Sequence, residues 1–338
     1  MLAGMLFLAF FVLALVGVPL MYALLVATVG AIVVGNLGHP LETIFLSFIG
    51  GVEPFILIAV PLFIFAGEIL SSGGVGKRIV EFARVLFGWL PGGLGVVTVI
   101  SCTLFGGVSG SAIADTAAIG SLVIPAMVAR GYSRGFAAAL LAVAGTVALL
   151  MPLSIPFLVY AFISGVSMRT LSMAGLLPAL ATAAALIVMC MWHGKKSGVD
   201  NGEDRSTPAQ IRATAKDAGP ALLMPLIIVG GIWSGKFTPS ESAAVAVFYG
   251  LAVSLFYYHD LHWRRIPQLL LNAFVTSATV MLVIGATGAM AWLITVEQVA
   301  VQMAAWIQLV ATEPWMFLML FNVCLLLLGI FIEPLPAM

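Results

Sequence analysis

Charge is scarce in this chain. Only 8% of its 338 residues are Asp, Glu, Lys or Arg, whereas 62% are hydrophobic, and the mean hydropathy is +1.17. A water-soluble domain of this length needs a far more charged surface, so most side chains must face lipid or other helices. The 14 basic and 14 acidic residues cancel, and this balance gives no indication of a nucleic-acid partner.

Cysteine and histidine are scarce as well, with three and four residues. The cysteines lie in apolar stretches without the spacing of a metal site, and we expect them to be small buried hydrophobic residues. The sequence has no His-Glu-x-x-His, and no histidine lies in a predicted span where it could activate a serine. We therefore expect no enzyme. The N-terminus lacks the basic region of a signal peptide, so it is predicted to be the first span.

Long apolar runs dominate the rest of the sequence and predict an all-α polytopic membrane protein. As a single helix, residues 2–36 would reach about 52 Å, beyond a hydrocarbon core of roughly 30 Å, and Gly17-Val18-Pro19 provides a break. Membrane spans are predicted at 2–17, 20–36, 54–72, 171–192, 219–235, 240–258 and 274–293, with a further apolar run at 314–332. Amphipathic surface helices are predicted at 75–90, 262–272 and 296–310.

Two further apolar runs are interrupted by small or helix-breaking residues. In 93–128, two short apolar halves flank Gly106-Gly107-Val108-Ser109-Gly110-Ser111-Ala112, and each half is too short to cross a membrane. We expect a re-entrant helical hairpin here, and the alternative is one ordinary span with a polar kink. In 135–166, Met151-Pro152-Leu153-Ser154-Ile155-Pro156 predicts a helix in two halves that meet at an unwound stretch.

The basic residues discriminate between the hairpin and the kinked span. If 77–90 is cytoplasmic and 93–128 returns to its starting side, then every lysine and arginine except Arg169 and Lys236 is cytoplasmic. A single span would place the later basic residues opposite Lys77 and Arg78. The positive-inside rule therefore favours the hairpin and predicts a periplasmic N-terminus.

The order of the predicted elements occurs twice. Residues 1–192 are predicted to form a first repeat and residues 218–338 an inverted second one, with a hydrophilic cytoplasmic loop at 193–217 between them. Inverted repeats with paired broken elements are typical of secondary transporters. The second repeat has no counterpart of 112–192, so we expect the chain to be a C-terminally truncated form of a longer protein.

Several motifs, in this order, resemble one transporter family. They are Leu90-Pro91-Gly92-Gly93-Leu94, Leu104-Phe105-Gly106-Gly107-Val108-Ser109-Gly110-Ser111-Ala112-Ile113-Ala114-Asp115, Pro125-Ala126-Met127, Arg130-Gly131-Tyr132, Ser154-Ile155-Pro156 and Ser234-Gly235-Lys236-Phe237-Thr238-Pro239-Ser240-Glu241-Ser242-Ala243-Ala244. The chain resembles, over its whole length, the large membrane (M, DctM-like) subunit of the TRAP (tripartite ATP-independent periplasmic) transporters. It departs from the family at the second break, where Ala148-Leu149 stands in place of the usual Gly-Pro and Leu153 in place of a common second proline.

The resemblance implies a function, partners and a location. It implies a sodium-driven importer of small organic acids, such as C4-dicarboxylates or sialic acid, in the bacterial inner membrane. Sodium is the coupling ion, and no cofactor is implied. The implied partners are a small membrane subunit (DctQ-like) and a periplasmic substrate-binding protein (DctP-like). The implied mechanism is of the elevator type, in which a mobile domain carrying the hairpins moves against a scaffold.

The hairpin and the second break contain the candidate binding residues. Sodium prefers oxygen ligands, which a broken helix provides as freed carbonyl groups, and Gly110 lets the backbone approach closely. The candidate sodium ligands are Ser109, Gly110, Ser111, Gly145 and Thr146. The alternative is that these small residues serve packing alone. The wider candidate set for ion and substrate adds Asp115, Pro152, Ser154 and Glu333.

Asp115 has three candidate roles, because an intramembrane carboxylate is costly unless it is paired or functional. It can form a structural hydrogen bond that caps the second half of the hairpin, tune the ion site, or bind the ion directly. For the chain as a whole, the main alternative is another sodium-coupled anion carrier of the same hairpin architecture that works without a binding protein. A passive channel fits the inverted, broken repeats less well.

Overall fold

The computed structural model describes residues 2–152, 154–200, 202–310 and 313–331. These residues form α-helices and short 3₁₀ or π turns, with no β-strand among them. The α-helices are α1 Leu2–Leu15, α2 Leu20–Val34, α3 Glu42–Val52, α4 Ala59–Ser72, α5 Val75–Phe87, α6 Gly93–Ser109, α7 Ala112–Ala129, α8 Arg134–Val147, α9 Ile155–Ser164, α10 Met168–Ser197, α11 Pro208–Trp233, α12 Pro239–Ala252, α13 Ile266–Val296, α14 Val299–Val310 and α15 Pro314–Phe331.

Six helical segments in the described part of the chain are long and apolar enough to cross a membrane. They are Phe55–Ser72, Ala112–Ala129, Met168–Ser197, Pro208–Trp233, Pro239–Tyr257 and Trp263–Val296. A seventh crossing results if the bent pair of α8 and α9 is counted as one span. The predicted all-α polytopic membrane fold is therefore confirmed.

The predicted broken helix is interrupted as expected. After α8 a 3₁₀ turn follows at Ala148–Leu150, Met151 is extended, and α9 begins at Ile155. The axes of the two helical halves differ in direction by 40°. Pro156 occupies the first turn of α9, where a missing N–H costs nothing. The chain breaks here although Ala148-Leu149 replaces the family's usual Gly-Pro.

Three predicted lengths differ from the structure. Helices α1 and α2, predicted as spans, have only 14 and 15 residues and fall short of a full crossing, whereas α7, predicted to be too short to cross, is long and apolar enough.

Two predicted boundaries differ as well. The predicted loop 193–217 is mostly helical, because α10 continues to Ser197 and α11 begins at Pro208. The predicted interfacial helix 262–272 and the span 274–293 form one helix, α13. In both cases charged or polar residues mark where the chain leaves the apolar layer, whereas a helix continues until its backbone meets a breaker or a cap.

The helices divide into two compact units, the first of which is Met1–Phe55 with Ala278–Met338. Its hydrophobic core joins α1, α2, α3 and the second half of α13. Helices α3 and α13 approach each other closely, because a Cβ on Gly288 would lie 3.1 Å from the Cα of Gly51. His39 Nε2 lies 2.8 Å from Glu297 Oε1, which ties the segment before α3 to the end of α13.

The second compact unit is Ile56–Ser277. Within it, α4 packs along α12 and α5 along α11, while α6 is surrounded by α5, α7, α8 and α10. Glycines permit the closest of these contacts: a Cβ on Gly194 of α10 would lie 2.4 Å from the backbone nitrogen of Gly92. Such small-residue contacts are how membrane helices gain packing energy without a hydrophobic drive between them.

The two compact units do not coincide with the predicted repeats. Each unit takes helices from both 1–192 and 218–338, so the repeats are not separate bodies. The inverted relationship of the repeats stays a prediction from the order of elements.

We expect Gly194→Ala to destabilise the protein by about 1–3 kcal/mol, because the added methyl group overlaps the backbone of Gly92. Gly219→Ala in α11 is the matched control, since a Cβ there meets no atom within 4 Å. Thermal unfolding of both variants in detergent measures the difference. Equal unfolding temperatures for the two variants would contradict the close contact.

Candidate functional site

The predicted hairpin is an antiparallel pair of helices, α6 and α7. The two helices contact each other both near the base and at the tip of the hairpin. Thr98 contacts Met127, with 3.6 Å between Oγ1 and Sδ, and Ser109 contacts Asp115. The turn is shorter than the sequence indicated, because α6 continues through Ser109 and only Gly110 and Ser111 are non-helical. Gly110 has a φ of 60°, a left-handed conformation that glycine adopts without a steric cost.

Both serines of the tip act within the hairpin. The hydroxyl of Ser109 donates a short hydrogen bond to Asp115 Oδ1 and accepts one from the backbone N–H of Ser111 at 3.2 Å. Ser111 is the N-cap of α7, and its hydroxyl accepts a hydrogen bond from the N–H of Ala114. Ser111, and not Asp115, therefore caps α7, and Asp115 is bonded instead to the last residue of α6. The two predicted roles of Asp115 toward an ion stay predictions.

The second carboxylate oxygen of Asp115 has no hydrogen-bond partner among the described residues, although the side chain is fully buried. A buried carboxylate oxygen without a partner is costly. It points toward Gly106, where a Cβ would lie 2.8 Å from Oδ2 and 2.4 Å from the Cβ of Ala148. The tip, Asp115 and the turn after α8 therefore meet at Gly106, and any side chain there would displace one of them.

The tip of the hairpin also contacts the break between α8 and α9. The carbonyl of Gly110 accepts a hydrogen bond from the N–H of Ile155 at 3.4 Å. Ser154 is fully buried and caps α9 by accepting from the N–H of Phe157 at 3.3 Å. The structure thus brings Ser109, Gly110, Asp115 and Ser154 into one region, and their role in binding stays a prediction.

Three other candidates lie at the edge of this region. Gly145 faces α7, where a Cβ would meet the hydroxyl of Thr116 at 2.3 Å. Thr146 is exposed and its hydroxyl donates to Val143 in its own helix at 2.7 Å, so it does not join the tip cluster. The carbonyl of Pro152 accepts a hydrogen bond from the Ser172 hydroxyl at 2.7 Å. Glu333 lies outside the described residues.

Sequence reasoning missed Ser172 and the particular role of Gly106. Ser172 is buried in α10, and its hydroxyl satisfies a carbonyl freed by the break. Its partner lies 20 residues away, a separation that no helical period indicates. Gly106 was recognised as part of a small-residue run, but a run of glycines does not reveal which glycine makes the contact.

Helix ends of opposite polarity lie together in the tip region. The C-terminus of α6 ends there, and helix C-termini present carbonyl oxygens and partial negative charge. The N-termini of α7 and α9 also lie there, and helix N-termini attract anions. Helices that end at one point inside a bundle of membrane helices are typical of secondary transporters, and the class that the fold defines is a polytopic membrane protein.

The chain belongs to the DctM family, the large permease subunits of tripartite ATP-independent periplasmic (TRAP) transporters. The family model described as "Tripartite ATP-independent periplasmic transporter, DctM component" matches residues 7–338. The family consists of transporter permeases and not of enzymes.

Relatives with related names cover most of the chain. It is 33% identical to the 2,3-diketo-L-gulonate TRAP transporter large permease protein YiaN of Escherichia coli, over 95% of this chain and 75% of that protein. It is 36% identical to the C4-dicarboxylate TRAP transporter large permease protein DctM of Pseudomonas aeruginosa, over 83% and 66%. It is also 36% identical to the isethionate TRAP transporter permease protein DctMQ of Oleidesulfovibrio alaskensis, over 95% of this chain and 51% of that protein.

We expect Ser109→Ala to destabilise the protein by about 1–3 kcal/mol, because it removes the hydrogen bond to a buried carboxylate. The control is Ser121→Ala in α7, since the Ser121 hydroxyl is bonded to a carbonyl of its own helix and the side chain is exposed. Thermal unfolding in detergent measures the loss of stability in each of the two variants.

The losses of stability caused by Ser109→Ala and Asp115→Ala should not be additive, because each substitution removes the same hydrogen bond. The double variant is expected to lose less stability than the sum of the two single variants. Additive costs would show that the two side chains do not interact.

Proposed function

We propose that the chain is the large membrane subunit of a sodium-coupled importer of small organic acids. The observation that carries the proposal is the meeting of two helix breaks, where the carbonyl of Gly110 accepts a hydrogen bond from the N–H of Ile155. Paired breaks at the centre of a bundle provide carbonyl oxygens for an ion and helix N-termini for an anion. Family membership adds relatives whose names specify C4-dicarboxylate and 2,3-diketo-L-gulonate.

The proposed coupling ion is sodium, held near the hairpin tip. Backbone carbonyls of the last turn of α6 and the hydroxyl of Ser111 are the proposed oxygen donors, with Asp115 as the nearby negative charge. The Ser109 hydroxyl has a different part, since it already bonds Asp115 and so orients that carboxylate. Gly145, Pro152 and Ser154 are included in the proposed binding region because they lie near the tip.

The proposed partners are a small membrane subunit and a periplasmic substrate-binding protein. The relative named DctMQ, of which this chain covers 51%, supports the small subunit, because its remaining length leaves room for a second component. The words tripartite and periplasmic in the name of the family support a periplasmic component. A dicarboxylate symporter that needs no binding protein is the alternative, and omission of that protein from a transport assay separates the two.

The proposed location is the bacterial inner membrane, with the N-terminus periplasmic. Ion pairs within each compact unit agree with this topology. His39 and Glu297, which pair in the first unit, both lie in segments predicted to be periplasmic. In the second unit, Arg78 lies 3.4 Å from Asp217 and also bonds Asp260, and all three lie in segments predicted to be cytoplasmic. The elevator mechanism is proposed from the family resemblance.

We expect Ser109→Ala and Ser111→Ala to raise the sodium concentration needed for half-maximal uptake, with membrane insertion unchanged. Ser111→Ala removes a proposed ligand, and Ser109→Ala frees the carboxylate of Asp115. The measurement is uptake of labelled dicarboxylates into proteoliposomes containing the full complex, with sodium varied at constant ionic strength.

Ser121→Ala is again the matched control in this assay, because it removes a hydroxyl from the same helix away from the tip. If sodium dependence were unchanged in both tip variants, the proposed site would be wrong. If uptake by the unsubstituted complex needed no sodium, the proposed coupling would be wrong.

A topology test uses two exposed basic residues that the charge rule assigns to opposite sides. We expect Lys236→Cys to react with a membrane-impermeant maleimide in intact spheroplasts, and Arg212→Cys to react only after the membrane is permeabilised. The unsubstituted chain is the control for its own cysteines. Reaction of both variants from the outside would contradict the proposed orientation.

A further inference from the structure

The segment between α10 and α11 is bound to the outer ends of both legs of the hairpin. Here the strap denotes residues 198–200 and 202–207 of this segment. Within the strap, the charged side chain of Asp200 is only 1% exposed. A buried charge is costly unless it is fully paired. The partners of this carboxylate therefore indicate what the strap does.

The Asp200 carboxylate caps the first leg. Helix α6 begins after Gly92, which has no side chain to satisfy the free N–H groups of the first turn. Asp200 Oδ2 accepts a hydrogen bond from the N–H of Leu94 at 2.7 Å, and the Asp200 carbonyl accepts one from the N–H of Gly92 at 2.8 Å. The side chain that caps the N-terminus of α6 thus belongs to a residue 106 positions away from Leu94.

The same carboxylate binds the second leg. Asp200 Oδ1 accepts a hydrogen bond from Nη1 of Arg130 at 2.9 Å, and Arg130 is the C-cap residue of α7. The Tyr132 hydroxyl, directly after α7, donates to Oδ2 at 3.3 Å. Burial, followed by the negative charge of Asp200, raises the pKa of the Tyr132 phenol, so this group remains a donor at neutral pH.

The rest of the strap holds Asp200 in place. The N–H of Glu203 donates to the carbonyl of Gly88 at 2.8 Å, and the Glu203 carboxylate binds Nη2 of Arg130. The guanidinium of Arg205 lies 4.3 Å above the ring of Trp89. Asp200 itself has a φ of 54°, a costly conformation for a residue with a side chain, and such a conformation persists only where surrounding contacts enforce it.

We propose that Asp200 is a positioning residue, which locks the two legs of the α6–α7 hairpin together at their base and so sets the geometry of the tip at Gly110 and Ser111. Because the turn at the tip has two residues, legs that separate at the base must rotate about Gly110 and Ser111. These residues belong to the proposed ion site, and in this respect the inference rests on the proposed function.

The main test variant is Asp200→Asn. Asparagine tolerates the left-handed conformation and retains an oxygen for the Leu94 N–H, so the substitution removes the charge with little change to the backbone. Asp204→Asn is the matched control: it lies in the same strap, is exposed, and loses the same charge. Glu203→Gln leaves the cap on α6 intact and should have a smaller effect than Asp200→Asn.

The first measurement is hydrogen–deuterium exchange of residues 92–98 in the reconstituted complex, with α12 as an internal reference. In Asp200→Asn the hydrogen bond from the Leu94 N–H becomes a neutral one and the ion pair with Arg130 is lost, which should raise the exchange rate of 92–98 by about tenfold. The rate should be unchanged in Asp204→Asn. An unchanged rate in both Asp200→Asn and Asp200→Ala would overturn the lock.

The second measurement is sodium-dependent uptake. We expect the sodium concentration for half-maximal uptake to rise roughly three- to tenfold in Asp200→Asn. A substitution that merely reduced the amount of folded protein would lower the maximal rate and leave this concentration unchanged. Faster exchange with unchanged sodium dependence would overturn the positioning role. If the unsubstituted complex showed no sodium dependence, the proposed function would fail, whereas the exchange measurement would still decide whether Asp200 locks the hairpin.

Discussion

A chain in a membrane must satisfy its own backbone N–H and C=O groups, because the hydrocarbon core offers no water to do so. Each helix break in this protein therefore needs partners supplied from elsewhere in the fold. At the hairpin tip the Ser111 hydroxyl and the N–H of Ile155 provide them. At the break before α9 the hydroxyls of Ser154 and Ser172 do so. The breaks are tolerated because they face one another and α10, and this arrangement gathers polar groups in one region.

The same constraint gives the charged residues their positions. They are few, and several of those with partners lie near helix ends, where they compensate unsatisfied groups or pair with one another. Arg130, Asp200 and Glu203 join the end of α7 to the beginning of α6, and Arg78 joins α5 to the segments around Asp217 and Asp260. The polar segment between α10 and α11 is thus a structural part of the second compact unit.

Small residues decide how closely these elements approach. Gly106 allows Asp115 and Ala148 to meet beside the tip, and Gly194 allows α10 to lie against Gly92. Membrane helices associate through packing and hydrogen bonds rather than through water exclusion. A glycine at such a contact stabilises the pair because its missing side chain lets the two backbones approach closely. The high glycine content of the sequence therefore records helix contacts as well as turns.

The sequence by itself determined the all-α membrane class, five of the six segments long enough to cross a membrane, and the interruptions at 110–111 and 151–154, because hydropathy and helix-breaking residues act locally along the chain. The re-entrant course of 93–128 stays a prediction. It also singled out Ser109, Gly110, Asp115 and Ser154 as candidate binding residues, and the structure places these four close together. Only the tertiary structure decided that Ser109 bonds Asp115, that Ser172 satisfies Pro152 and that Asp200 caps α6. Two of these contacts join residues 20 and 106 positions apart, and the division into compact units cuts across the repeats. Such partners are selected by how helices pack in three dimensions, and a one-dimensional pattern carries no record of that packing.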